Sequence, residues 1–288
     1  MSYPISATAI ISDAPKGTHP QWRKQKVQLR EPGEDELLVR IVASGVCHTD
    51  VAISTLPEDT HGFQPYPKIA GHEGAGIVEQ VGSKISHAKK GDKVLLSFDY
   101  CGKEECRACE DETPGYCGEF HVKNLFNVPD VYQIDGKPAA GLFFGQSSFS
   151  SIALVKGTSV VNVEKLVKDE EELKLFAPMG CGYQTGAAAV TELVDVGKKD
   201  TIVVFGLGGV GMSAIMVRHF ATKQDNIRTP SCTDLNGGFA CTRSKDDHWS
   251  RQSTVTSHPG ERNGCNTRHR YVKLQRPRSR STHSRARD

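Results

Sequence analysis

The sequence predicts a fold of the α/β plus β class: a partly open β-barrel, an incomplete doubly wound domain, and a basic tail. Short β-rich runs punctuated by Gly and Pro fill residues 7–155. A glycine-rich turn follows an apolar run near residue 205, and the composition changes abruptly after about residue 217. We therefore place the three regions at residues 1–157, 158–220 and 221–288.

The first region carries three runs that predict strands, at residues 36–42, 76–81 and 93–97. The third run is introduced by a Gly-Asp turn. Residues 169–178 begin with four consecutive acidic residues, which favour the amino-terminal end of a helix because they complement its dipole. These residues lie near the start of the second region.

The second region reads as the first half of a βαβ unit. Residues 181–194 predict a helix of small side chains, residues 201–205 a buried strand, and residues 212–217 the opening of another helix. Between strand and helix lies a glycine-rich turn, in which bare backbone N–H groups can hold a pyrophosphate. The predicted cofactor-binding residues of this turn are Gly206, Leu207, Gly208, Gly209, Val210 and Gly211.

A dinucleotide-binding unit of this kind usually has an acidic residue about twenty positions after its turn, which binds the ribose hydroxyls. Asp234 lies near that distance, but no apolar strand precedes it. The sequence therefore predicts NAD or NADP without choosing between them.

Six of the nine cysteines fall into two patterns typical of zinc sites. The amino terminus lacks the basic start of a signal peptide, and no apolar run reaches the length of a membrane span. Clustered cysteines without an export signal indicate a reducing compartment, so we expect thiolate ligands rather than disulfides, and a cytoplasmic protein.

The first pattern is dispersed and predicts a catalytic zinc bound by Cys47, His72 and Cys181, with one coordination position left for substrate. Each residue alone would more simply be a buried cysteine or a core histidine, and only their joint context favours a metal. The next residue, Glu73, is an alternate fourth ligand when substrate is absent.

Two residues beside Cys47 complete the predicted catalytic set. Asp50 is placed to orient the ring of His72, because a ligand histidine usually donates its second N–H to a carboxylate. Thr49 is placed to bring its hydroxyl next to the substrate oxygen.

The second pattern is compact: Cys101, Cys106, Cys109 and Cys117, with gaps of four, two and seven residues. Four thiolates form a closed tetrahedral site, so this lobe predicts a structural zinc and a total of two zinc ions. The alternative is a loop of reactive cysteines.

Charge is distributed unevenly. Residues 1–217 hold 21 Lys and Arg against 28 Asp and Glu, whereas residues 218–288 hold 15 against 6. The later segment is rich in Arg, Ser and Thr and poor in large apolar residues, so we expect disorder beyond residue 221. A nucleic-acid or anionic partner for this tail is a weaker hypothesis, since basic charge alone binds polyanions weakly.

Residues 7–217 resemble the zinc-dependent medium-chain alcohol dehydrogenases. The matching segments are Gly45-Val-Cys-His-Thr-Asp50, Gly71-His-Glu-Gly-Ala-Gly-Ile-Val78, the cysteine lobe, Gly180-Cys-Gly-Tyr-Gln-Thr-Gly186 and the glycine turn, all in order. Residues Gly141-Leu-Phe-Phe-Gly-Gln-Ser-Ser-Phe149 resemble the aryl- or benzyl-alcohol branch. The resemblance implies a GroES-like catalytic domain, a Rossmann domain and an active site between them.

The resemblance also implies residue roles and a substrate. His48 would approach the cofactor pyrophosphate and Thr185 the nicotinamide. An aromatic or allylic alcohol/aldehyde pair is the implied substrate, and relatives of full length are expected to be homo-oligomers. Many relatives carry a histidine where this chain has Ala52, so here the proton leaves by water or another route.

The resemblance stops at about Val217, and the change of composition is typical of a shifted reading frame or a retained intron. The chain is therefore interpreted as a truncated member of the family. Two functions remain open: a zinc- and NAD(P)-dependent alcohol dehydrogenase, or a catalytically inactive zinc-binding remnant of one.

Overall fold

The computed structural model of the 288-residue chain describes residues 2–57, 60, 66–194, 202–221 and 239–241. The strands are β1 (Ile5–Lys16), β2 (His19–Leu29), β3 (Glu36–Ser44), β4 (Lys68–Ile69), β5 (Gly74–Val81), β6 (Lys93–Leu96), β7 (Val128–Ile134), β8 (Lys137–Gly141), β9 (Ile152–Lys156), β10 (Val160–Asn162), β11 (Val203–Phe205) and β12 (Phe239–Cys241). The α-helices are α1 (His48–Ile53), α2 (Arg107–Glu110), α3 (Phe120–Leu125), α4 (Glu170–Leu175), α5 (Gly182–Ala188) and α6 (Gly209–Ala221).

The predicted β-barrel is confirmed, and its ring is closed in the order β1-β2-β7-β8-β4. The two-residue strand β4 completes the ring, because Ile69 pairs antiparallel with Ile11 of β1 while Lys68 pairs in parallel with Ala140 of β8. A very short strand therefore closes the barrel, which the sequence predicted to be partly open.

A second sheet of five strands, in the order β10-β6-β5-β3-β9, shares its core with the barrel. Leu38 of β3 and Leu154 of β9 lie in the same apolar cluster as Ile11 and Leu29 of the barrel. Cys47 follows β3, and His72 and Glu73 directly precede β5, so two strands of this sheet lead to the first cluster.

The predicted helix near residue 170 is confirmed, and it packs on the second sheet. Asp169 caps α4 by accepting a hydrogen bond from the backbone N–H of Glu172 at 2.9 Å. Leu173 of this helix is buried against Ala75 and Leu95. Strand β10 also pairs with β6 of this sheet. Residues beyond 157 are therefore part of the contacts that build the first region.

The predicted helix over residues 181–194 is α5, which continues as a π-helical turn over Ala189–Leu193. It meets α6 backbone to backbone, since a Cβ on Gly186 would lie 1.9 Å from the carbonyl oxygen of Val210. Small residues in α5 are what allow this approach.

Strand β11 differs from the prediction of a buried strand. Its outer residues Val203 and Phe205 are 47% and 58% exposed. Within the described part of the chain β11 has one strand partner, the antiparallel β12, and a strand is buried on both faces only inside a covered sheet. None of the described helices has the length and apolar character needed to cross a membrane.

Candidate metal centres and cofactor turn

The first candidate centre begins at Cys47, the N-cap residue of α1. Asp50, three residues further on, accepts a hydrogen bond from the backbone N–H of Cys47 at 3.0 Å. The same carboxylate accepts the N–H of Gly71 at 3.0 Å. One buried aspartate thus joins the start of α1 to the segment that carries His72.

His72 is 1% exposed, and a carboxylate and two aromatic rings hold its ring in place. Nδ1 lies 3.0 Å from Oδ1 of Asp50, so the ring donates this N–H to the carboxylate. Phe144 stacks on the ring with centroids 4.6 Å apart, and Phe143 meets it edge-on at 5.6 Å. The other nitrogen, Nε2, is buried and has no hydrogen-bond partner among the described residues.

Cys181 reaches the centre from a 3-10 turn over Ala177–Gly180 that leads into α5. This turn lies against β6 so closely that a Cβ on Gly180 would be 1.8 Å from the carbonyl oxygen of Leu96. Glu73 connects the two segments, since its Oε1 accepts the N–H of Gly182 at 3.1 Å.

The donor atoms of Cys47, His72, Glu73 and Cys181 all lie within 4.8 Å of one another. The sulfurs of the two cysteines are 4.0 Å apart. A tetrahedral zinc with Zn–S bonds of about 2.3 Å requires sulfurs about 3.8 Å apart. An unpaired imidazole nitrogen, two sulfurs and a carboxylate at these separations fit a zinc ion with a position that can open for substrate.

The electrostatics of this cluster are those of a cation site. Burial opposes a charge on His72, but the carboxylate of Asp50 and the nearby sulfurs of Cys181 and Cys47 favour it and raise the pKa of His72 to about 12. The neighbouring ring of His72 lowers the pKa of Cys47 to about 7. Burial raises the pKa of Glu73. A single positive charge among these donors is therefore strongly favoured.

The compact cysteines form the second candidate centre, at the start of α2 and around the turn before α3. The Sγ atoms of Cys101 and Cys109 are 3.6 Å apart, and those of Cys106 and Cys117 are 4.0 Å apart. All four sulfurs lie within 4.8 Å of one another. These spacings fit a tetrahedral tetrathiolate zinc.

Ionisation within this lobe is uneven. Backbone hydrogen bonds from Gly118 and Cys109 lower the pKa of Cys106 to about 6. A backbone hydrogen bond from Lys103 favours the Cys101 thiolate, but burial and the neighbouring thiols outweigh it and raise its pKa to about 12. Four thiolates so close together repel one another, and a bound divalent cation would offset much of that repulsion.

The glycine turn has the local geometry that its sequence predicts. Gly206 has φ +95°, a conformation that side chains disfavour. A Cβ on Gly211 would lie 1.9 Å from the carbonyl oxygen of Gly206, whereas a Cβ on Gly208 would meet nothing within 4 Å. Gly211 is therefore needed for packing, and Gly208 leaves open space where a ligand can approach.

The remaining predicted residues lie around these centres. Thr49 places its hydroxyl 3.7 Å from the sulfur of Cys47, at the edge of the first cluster. His48 is exposed on α1, and Thr185 donates its hydroxyl to the carbonyl oxygen of Cys181 at 2.7 Å. Asp234 lies outside the described residues. Leu207 lies in the turn, and Gly209 and Val210 lie at the start of α6.

Sequence reasoning missed the residues that support His72 from behind. Phe143, Phe144 and Gln146 all come from the segment that was interpreted only as a mark of one branch of the family. A run of two aromatics followed by Gly-Gln gives no indication of the backbone it will contact, because those contacts cross from residue 146 to residues 72–74.

Comparison with known proteins assigns this architecture to a family. Residues 33–165 match the family model of the alcohol dehydrogenase GroES-like domain. A probable alcohol dehydrogenase from a Pseudomonas species is 42% identical over 179 residues, covering 60% of this chain and 53% of that protein. The geraniol dehydrogenase of Castellaniella defragrans is 38% identical over 198 residues, covering 67% and 50% respectively.

Among solved structures, the benzyl alcohol dehydrogenase of Acinetobacter calcoaceticus matches with a TM-score of 0.62 and 33% identity, covering 75% of this chain and 56% of that one. The chain belongs to the zinc-dependent medium-chain alcohol dehydrogenase family. It spans about half the length of the curated relatives it matches.

Proposed function

We propose that this protein transfers a hydride between a primary alcohol or aldehyde and NAD or NADP, with one catalytic and one structural zinc. The observation that carries the proposal is the buried Nε2 of His72, which has no hydrogen-bond partner among the described residues and lies among Cys47, Cys181 and Glu73. A core histidine would satisfy both ring nitrogens, whereas a ligand histidine leaves one for the metal.

The residues of the first centre divide the chemistry among them. Bound zinc would supply a Lewis acid that polarises the oxygen of the alcohol or aldehyde. Thr49 lies at the edge of the cluster, where its hydroxyl can accept the proton of the alcohol while it releases its own O–H proton to water. A bound nicotinamide would supply the acceptor for the hydride of the carbinol carbon. Asp50 holds His72 in one tautomer, and Glu73 is the fourth donor that exchanges with substrate.

The cofactor is assigned to the glycine turn. The open space at Gly208 allows the pyrophosphate to approach the backbone N–H groups at the start of α6. His48 and Thr185 complete the cofactor site from α1 and α5 in this proposal. We keep residues 1–157, 158–220 and 221–288 as the catalytic, cofactor-binding and tail regions.

An aromatic or allylic alcohol is the proposed substrate. The segment Gly141-Leu-Phe-Phe-Gly-Gln-Ser-Ser-Phe149, which resembles the aryl- or benzyl-alcohol branch, supports this class of substrate. The names of two relatives, a geraniol and a benzyl alcohol dehydrogenase, agree with this class.

The test is turnover of the zinc-loaded full chain with benzyl alcohol, geraniol and ethanol, followed by absorbance of the reduced nicotinamide with each cofactor. We expect turnover with the first two alcohols and a loss of about 100-fold or more in the His72→Asn variant. His87→Asn is the matched control, because His87 contacts the carbonyl oxygen of Gly157 at 3.1 Å and belongs to neither centre.

Full occupancy of both zinc sites without cofactor binding or turnover would contradict the proposal. The chain would then be a zinc-binding relative of the dehydrogenases without their activity.

A further inference from the structure

Each metal cluster has one fully buried carboxamide behind it that is not a ligand. These residues are Gln146 for the first cluster and Asn124 for the second, and each is 0% exposed. In each residue the amide oxygen accepts one hydrogen bond and the amide nitrogen donates two, and every partner is a backbone group. A buried amide that contacts only backbone fixes the path of the chain rather than a side chain.

Gln146 binds the backbone of the segment that carries His72 and Glu73. Its Oε1 accepts the N–H of Gly74 at 3.1 Å, and its Nε2 donates to the carbonyl oxygen of His72 at 3.0 Å. The carbonyl oxygen of His72 and the N–H of Gly74, on either side of Glu73, thus bind the same amide group.

The second N–H of Gln146 extends this loop toward Cys181. It donates to the carbonyl oxygen of Ser97 at 2.9 Å, and the hydroxyl of Ser97 donates to the carbonyl oxygen of Gly180 at 3.2 Å. One side chain is therefore connected, directly and through Ser97, to the backbone on both sides of the first cluster.

The segment that presents Gln146 is itself held in an uncommon backbone conformation. Leu142, Phe144 and Ser147 have φ of 57°, 52° and 53°, values that side chains rarely adopt. The Ser147 hydroxyl donates to the carbonyl oxygen of Ile69 at 2.6 Å, and the N–H of Ser148 donates to that of Gly71 at 2.9 Å. Such a conformation persists only where surrounding contacts enforce it, and here those contacts are with the segment leading to His72.

Asn124 plays the corresponding part for the compact cluster. Its Oδ1 accepts the N–H of Asp99 at 2.7 Å, and its Nδ2 donates to the carbonyl oxygens of Asp99 at 2.8 Å and Phe120 at 2.7 Å. Asp99 lies two residues before Cys101, and Phe120 three residues after Cys117. The amide therefore joins the two ends of the cysteine lobe.

We propose that Gln146 and Asn124 are positioning residues, each of which preorganises the backbone of one metal centre and neither of which supports the other centre. The assignment of Gln146 rests on the proposed catalytic zinc. Removing either amide leaves buried backbone N–H and C=O groups without partners, so the flanking backbone must move and the donor atoms with it. Loss of such supporting groups typically lowers metal affinity by about 10- to 100-fold.

The experiment compares Gln146→Met and Asn124→Leu, which keep side-chain size but lose all three hydrogen bonds. Gln133→Met and Asn162→Leu are the matched controls, because their amides lie outside both clusters. Each full-length chain is loaded with zinc or cobalt(II). The readouts are metal affinity by chelator competition, the ligand-field absorption of cobalt, and protection of individual cysteines from alkylation.

For Gln146→Met we expect Cys47 and Cys181 to lose protection and affinity at that site to fall by about 10- to 100-fold, while the four lobe cysteines stay protected. Asn124→Leu should give the reverse pattern. The cobalt spectrum should shift in the affected site even at saturating metal, which a general loss of stability would not produce.

Wild-type behaviour in both variants, or loss of both metals together from either one, would overturn the assignment. If the wild-type chain protects neither Cys47 nor Cys181 when loaded, the proposed catalytic zinc and the role of Gln146 both fail. Intact loading of the wild type with unaffected variants overturns only the positioning role.

Discussion

The carboxylate of Asp50 and the ring of His72 lie 3.0 Å apart and are 0% and 1% exposed. The same carboxylate also binds the backbone N–H groups of Cys47 and Gly71. One side chain therefore sets the position of one proposed ligand, the ring orientation of another, and the approach of the two segments that carry them.

Replacing Asp50 with Asn is expected to lower zinc affinity at the first centre by about 10- to 100-fold, because an amide cannot accept all three N–H groups and stabilises the wrong tautomer of His72. Equilibrium dialysis with zinc and a competing chelator measures this. Asp92→Asn is the control, since Asp92 is also a buried carboxylate that accepts a backbone N–H, that of Lys89, away from both centres. Equal losses in the two variants would mean that burial of a carboxylate, rather than contact with His72, is what matters.

Two glycines of the cofactor turn are expected to respond differently to the same substitution. Gly211→Ala places a methyl group 1.9 Å from the carbonyl oxygen of Gly206, so we expect it to destabilise this region by about 1–3 kcal/mol. Gly208→Ala meets nothing within 4 Å, so it should fold normally but weaken cofactor binding by about tenfold or more if the pyrophosphate lies there. Thermal unfolding and cofactor titration separate the two effects. Tight cofactor binding by Gly208→Ala would move the cofactor away from this turn.

The buried ion-pair network around Glu36 predicts a loss of stability in acid. Burial opposes ionisation of Glu36, but hydrogen bonds from Arg30, Lys156 and the N–H of Gly33 outweigh it and lower its pKa to about 2. Because the folded pKa lies below the unfolded value of about 4.3, the stabilisation is complete above about pH 4.3 and is lost as the pH falls toward 2. Its size is about 2–3 kcal/mol.

Glu36→Gln should remove this pH dependence and destabilise the chain at neutral pH, as measured by urea unfolding between pH 2.5 and pH 7. Glu34→Gln is the control, because the pair of Glu34 with Lys84 is exposed on both sides. Parallel stability curves for the wild type and Glu36→Gln would contradict the prediction.

Because Lys68 is buried, we expect the free energy of unfolding to rise toward alkaline pH. It is fully buried, its ammonium lies 4.1 Å from the ring centroid of Tyr66, and it donates to the carbonyl oxygen of Ile53 at 2.9 Å. Burial lowers its pKa to about 7. The unfolded chain keeps this proton up to about pH 10.4, so the folded state binds fewer protons between these values and stability rises with pH.

Lys68→Met should abolish about 2 kcal/mol of that rise between pH 7 and pH 9, again measured by urea unfolding. Lys137→Met, at an exposed position on β8, is the control. Retention of the full rise in Lys68→Met would assign it to other groups.

The sequence was most informative where chemistry and local spacing coincide. The cysteine lobe and the glycine turn lie in short segments, and their geometry agrees with what those segments predicted. Cys47, His72 and Cys181 are far apart in sequence, and only their joint context predicted that they would bind one metal. The barrel closure through Lys68 and Ile69 and the amide of Gln146 depend on contacts between distant segments, which no local pattern reports.

The two proposed centres differ in how much chain they enclose. Cys47 and Cys181 are 134 residues apart, whereas the compact lobe closes between Cys101 and Cys117, which are 16 apart. As a cross-link of the unfolded chain, a metal at the first centre removes about 2 kcal/mol more loop entropy than one at the second. Because synthesis runs from the amino terminus, the lobe has all its ligands on the ribosome well before Cys181 is made. The nascent chain can therefore bind a metal at the compact lobe first, and a metal at the proposed catalytic centre only afterwards.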